Sequence, residues 1–108
     1  MYFTDSEKYV LAMLASGMLQ AGLEDGIITR PQWESSIANV CSQLNTPQSI
    51  LTTQLNIDPF STIRNMTMEQ KQFVKNFFYG IIQQVPNCEK AIYYFSTTLE
   101  NSGLTINI

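Results

Sequence analysis

Apolar residues recur along most of the chain at the three- and four-residue spacing of helices. The first such stretch predicts a helix over residues 5 to about 23. Val10, Leu14, Met18 and Ala21 form one stripe on it, and Leu11, Ala15, Leu19 and Gly22 form an adjoining one. Met13 and Leu23 widen the apolar surface further, so this helix is apolar nearly all round and belongs at the centre of the fold or against a partner. A second helix, from about 30 to 44, carries Trp33, Ile37, Val40, Cys41 and Leu44 on a single face. A shorter one over 47 to about 55 holds Ile50 and Leu51, and one or two turns after Asp58 hold Phe60 and Ile63. Over 68–85, Phe73, Val74, Phe77, Phe78, Ile81, Ile82 and Val85 cover almost half a helix, a face broad enough to meet two neighbours. A fifth helix takes Cys88, Ala91, Ile92, Phe95 and Leu99 inward and ends at Asn101-Ser102-Gly103.

Polar residues mark the starts. Thr4 with Glu7, Thr29 with Gln32, and Thr67 with Gln70 have the capping-box spacing, in which two free amides are satisfied reciprocally. Thr46-Pro47 and Asp58-Pro59 read as cap residues followed by a first-turn proline. Gly26 can take the left-handed conformation that stops the first helix. After the fifth helix, Leu104-Thr105-Ile106-Asn107-Ile108 alternates apolar and polar residues as a strand does. The pattern predicts an all-α fold: a compact bundle of about five short helices with an extended C-terminal tail. That tail packs across the helices, is a disordered end, or pairs with another chain.

Composition narrows the picture. The chain has 108 residues, enough for one helical domain over 1–108 and not for a second core. It carries a formal charge of -3, and its six basic residues are scattered, with only Lys71 and Lys75 adjacent on a helix. Nucleic-acid binding, which needs several cations on one face, is disfavoured. The short helix after Pro47 has no basic residue with which a DNA-reading helix would reach phosphates. The uncharged run from Tyr9 to Leu23 falls short of the roughly 20 residues of a membrane span. The opening Met-Tyr-Phe-Thr-Asp-Ser-Glu-Lys lacks the basic flank of a secretory signal, so the expectation is a cytoplasmic protein with no membrane partner.

Chemistry is sparse. With no histidine, the commonest general base near neutral pH is missing, and so is every Ser-His or Cys-His arrangement. Cys41 and Cys88 sit in apolar helical patterns and read as buried thiols, with no cofactor or metal implied. Most of the nine acidic residues fall at helix starts and stops, where backbone geometry explains them. No glycine-rich phosphate loop is present, and the expectation is a protein that is not an enzyme, carboxylate chemistry being the minor alternative. Asp25-Gly26-Ile27-Ile28-Thr29 has the look of the middle of an EF-hand loop. Counting Asp25 as the fifth position puts Ala21 and Leu23 at the first and third, and Gln32 at the twelfth, so the oxygen ligands calcium requires are missing. This Asp-Gly turn between two helices also resembles that of the tellurite-resistance TerB-like helical family, over about residues 10 to 40. The resemblance implies helical structure and carries no function. Glu24, Asp25 and Glu34 are the nearest match to that family's acidic residues, with no second cluster beside them.

What remains is a surplus of aromatic and apolar surface. Tyr2 and Phe3 precede the first helix, and Tyr93 and Tyr94 cannot both face inward with Phe95. Tyrosine tolerates half-wet seams and is enriched at interfaces. The expected function is therefore binding another protein chain, self or heterologous, as a homodimer, adaptor, inhibitor or regulatory subunit. The candidate contact residues are Tyr2, Phe3, Leu11, Met13, Leu19, Leu23, Tyr93 and Tyr94. The alternative is a small-molecule site between helices one, four and five, lined by Met18, Phe77, Phe78 and Phe95.

Overall fold

Residues 2–104 are described by a computed structural model, and they form five α-helices and a 3-10 turn with no strand among them. In chain order these are α1 (Asp5–Glu24), α2 (Arg30–Gln43), the 3-10 turn (Gln48–Thr52), α3 (Pro59–Arg64), α4 (Met68–Ile82) and α5 (Glu89–Asn101). The strand-patterned tail, residues 105–108, lies outside the described residues.

α1 is the axis of the bundle, in contact with all four other helices and with the 3-10 turn. Its apolar breadth follows from that position, because each neighbour covers a different stripe of it. Val10, Leu11, Ala12, Ala15, Met18 and Leu19 are all fully buried. The rest of the core comes from α2 (Ile37, Val40), α3 (Ile63), α4 (Val74, Phe77, Phe78, Ile81) and α5 (Ala91, Phe95, Leu99).

All three capping boxes form. In the first, the Glu7 amide donates to Thr4 Oγ1 at 3.1 Å and the Thr4 amide donates to Glu7 Oε1 at 2.8 Å. Each such cap stabilises its helix by about 1 kcal/mol. Asp58 caps α3 through the Phe60 amide at 3.1 Å, as its proline pair predicts. Gly26 (φ 72°) ends α1, and the Ile27 amide reaches back to the Gly22 carbonyl at 2.9 Å in the closing turn.

Three details depart from the pattern. Thr46 does not cap the next element: Asn45 turns left-handed (φ 53°) to close α2, the Thr46 amide is used on the Cys41 carbonyl, and Pro47 begins a 3-10 turn with no side-chain cap. α4 stops at Ile82 instead of continuing to 85, because Val85 precedes Pro86 and a residue before proline is driven out of helical conformation. Val85 is nevertheless fully buried. In α5, Ile92 faces outward and Thr98 is buried, so the inward face is set by Ala91, Phe95 and Leu99.

Gly80 lies exposed on α4, and a methyl group there would meet nothing within 4 Å. Gly80→Ala is expected to raise the unfolding free energy by about 1 kcal/mol, the difference in helix propensity. Urea titration of the two proteins checks this.

Candidate interaction surfaces

The structure distributes the sequence-predicted contact residues among core and surface. Leu11 and Leu19 are fully buried inside the bundle, so they offer no surface to a partner and are core residues. Phe3 is also buried, its ring 5.4 Å from that of Phe73, which in turn stacks on Phe77 at 6.2 Å. Met13 and Leu23 are half-buried and pack against the core. Tyr94 is half-buried as well: its ring lies over Gly17, where a Cβ would come within 2.4 Å of it, and burial pushes its phenol pKa up. Only Tyr2, 75% exposed, and Tyr93, 74% exposed, stand in solvent.

These two tyrosines do not share a surface. The Tyr2 carbonyl accepts from Gln70 Nε2 at 2.7 Å beside the starts of α1 and α4. Tyr93 follows the part of α5 that meets the second half of α1, next to Tyr94 over Gly17. At about 1.5 Å per residue, the first turn of α1 and Gly17 are roughly 18 Å apart.

Two further exposed apolar side chains, Tyr79 and Ile92, lie on α4 and α5. On the outer seam between α4 and α5, the Tyr79 ring meets the edge of Phe95 at 5.2 Å and 69°. Ile92, 45% exposed, lies one turn before Phe95 on the same side, whereas Tyr93, two residues before Phe95, projects from the outer side of α5. Tyr79 falls outside the apolar face that the spacing of residues 73–85 defines. The outward face of Ile92 is not legible in the sequence, because residues 91–95 are an unbroken run of apolar and aromatic side chains in which helical periodicity cannot select a face.

The acidic turn between α1 and α2 is engaged in structural contacts. Lys90 donates to Glu24 across the helix junction, and this bond, reinforced by Gln20, holds the Glu24 carboxyl below its usual range while Glu24 in turn raises Lys90. The Cys88 thiol lies 3.4 Å from Asp25 Oδ2. Among the described residues no group of three or more cysteine and carboxylate side chains is placed to hold a metal ion. Cys41 and Cys88 are both buried and unpaired by disulfide, and burial pushes the Cys41 thiol pKa up. No described helix is long and apolar enough to cross a membrane.

The four side chains expected to line an inter-helical ligand pocket, Met18, Phe77, Phe78 and Phe95, are buried, with the Phe77 and Phe78 rings 5.5 Å apart. Four surface cavities are described, and none is lined by these residues. The most apolar of the larger ones, of about 400 Å³, lies between the start of α1 and the 3-10 turn, where Tyr9, Pro47, Ile50 and Leu55 converge. Comparison with known proteins gives no match: no family model, no curated protein and no solved structure is similar to this chain.

Proposed function

We propose that this protein is a protein-binding module, cytoplasmic and without catalytic activity, that meets another chain through the outer α4–α5 seam. The carrying observation is the exposed pair of Tyr79 and Ile92 beside Phe95, with the exposed Tyr93 next to Ile92 on α5, since aromatic side chains at the centre of a patch supply most of the binding energy in protein interfaces. Two free, buried thiols support a reducing compartment. The uncharged character of Tyr79, Ile92 and Tyr93 leaves a second copy of this chain as an acceptable partner, along with an unrelated one.

Sedimentation velocity over a range of concentrations tests the reading, with the wild type compared against Ile92→Glu/Tyr93→Ser. Both substituted positions are exposed, so the variant should keep the helical circular dichroism of the wild type. The expected result is concentration-dependent association of the wild type that the variant loses. Should the wild type stay monomeric, cross-linking in the native host must give adducts that the variant lacks. Identical behaviour of the two proteins in both experiments would sink the proposal.

A further inference from the structure

The chain between the 3-10 turn and α3 is exposed, outside any helix, and extended at both of its ends, Thr53 and Asp58. Thr53 takes φ -77° and ψ 136°, its amide donates to the Ile50 carbonyl at 3.2 Å, and Asp58 is fixed as the cap of α3. Between these anchors, the amides and carbonyls of residues 54–57 have no hydrogen-bond partner among the described residues. Side chains alternate along the segment: Gln54 and Asn56 are polar, whereas Leu55 and Ile57 are apolar and 38% and 37% exposed. That is the pattern of a strand edge in a protein whose described residues form no sheet.

The segment also borders a pocket. Leu55 lines the 400 Å³ cavity together with Tyr9, Pro47 and Ile50, and Ser49 and Thr53 also line it. Asp5 is the one charged side chain among its lining residues, and no cation lines it. An open row of backbone donors and acceptors, an apolar pocket beside it and an acidic residue in its lining together define what fits. The backbone row accepts an extended peptide, the pocket accepts an aliphatic side chain from it, and Asp5 favours a neighbouring Lys or Arg.

We infer that residues 53–57 and the adjoining Tyr9–Ile50–Leu55 pocket bind a short extended segment of another polypeptide by strand addition, one with aliphatic and basic residues alternating. The inference rests on the reading of the protein as a binding module, and uses a surface separate from the α4–α5 seam.

Amide NMR spectra of the isotope-labelled full chain, titrated to about 1 mM peptide, test it. The probe is a pool of acetylated, amidated five-residue peptides alternating Lys or Arg with Val or Ile. The controls are the matching Glu-containing pool and the basic pool N-methylated at its aliphatic residues, which removes backbone donors. Saturable shifts of Gln54, Leu55, Asn56, Ile57 and Tyr9 with the basic pool alone are expected. Asp5→Asn should weaken binding about fivefold, the scale of one half-exposed charge contact. Leu55→Ser, at an exposed loop position, should weaken it by more. The inference is overturned by an absence of saturable shifts, by shifts confined to other residues, by equal binding of the acidic or N-methylated pool, or by full binding to either variant. The Ile92→Glu/Tyr93→Ser variant should bind the pool as the wild type does. Failure here therefore leaves the seam reading standing, and loss of seam-dependent association leaves the peptide site standing.

Discussion

Phe78→Ala is expected to lower the unfolding free energy by about 3–5 kcal/mol, the cost of removing a large aromatic side chain from a core that cannot close over the space. Phe78 is fully buried, meets the Phe77 ring at 5.5 Å and sits on the helix whose broad face packs on both α1 and α5. A domain of this size has about 5–15 kcal/mol of total stability, so the loss would remove a large share of it. The thermal midpoint should fall by roughly 20 °C. Urea titration is the check, and it should show a lower midpoint with an unchanged slope, since the surface exposed on unfolding is nearly the same. A loss below about 1 kcal/mol would mean that the ring is not packed as described.

Gly22→Ala is expected to destabilise by about 1–2 kcal/mol although alanine is the better helix former. A Cβ at position 22 would lie 2.2 Å from Val85 Cγ1 and 3.0 Å from Val85 Cβ. Val85 is fully buried, and its branched side chain has few rotamers into which to retreat. Overpacking costs about 1–3 kcal/mol, and so close an approach to a branched, buried side chain belongs in the upper half of that range, so the offset of about 1 kcal/mol from helix propensity leaves about 1–2 kcal/mol. Gly80→Ala makes the same chemical change on an open surface with the opposite expected sign, so the pair isolates the collision. A double-mutant cycle with Val85→Ala gives the stricter test: the new methyl should fill part of the space that Val85 vacates, making the two changes less costly together than their sum. Strict additivity would show that position 22 and Val85 are not in contact.

Local chemistry was the most legible part of the fold. A capping box involves four consecutive residues, so Thr4, Thr29 and Thr67 placed three helix starts without any knowledge of tertiary packing. Errors arose where a local rule competed with another. Thr46-Pro47 satisfied the pattern of a helix start, but closing α2 through left-handed Asn45 had already taken the Thr46 amide. The apolar spacing carried the fourth helix to Val85, yet the influence of Pro86 on the preceding residue left α4 ending at Ile82. The face of Ile92 depended on which side of α5 meets α4, and residues 91–95 are too uniformly apolar to reveal it.

Surfaces were less legible than elements. The breadth of α1 admitted both a central and an interfacial reading, and only the arrangement of four other helices around it assigns Leu11 and Leu19 to the core. Tyr2 and Tyr93 were both rightly suspect as solvent-facing aromatics, but their separation along α1 is a property of the packed chain. The cavity beside Leu55 draws Tyr9 from α1, Pro47 and Ile50 from the turn and Leu55 from the loop, so no single sequence window contains it.

The position of α1 has a consequence for how the protein is made. On the ribosome α1 emerges before its neighbours, and α5, which covers one of its sides and ties down its end through Lys90 and Glu24, is 66 residues behind at that contact. Throughout that interval the most apolar helix of the chain has no complete set of neighbours. Nascent chains that expose such surface are prone to stick to one another. The central helix thus waits for its last neighbour, and the productive yield of this protein depends on what shelters α1 until α5 arrives.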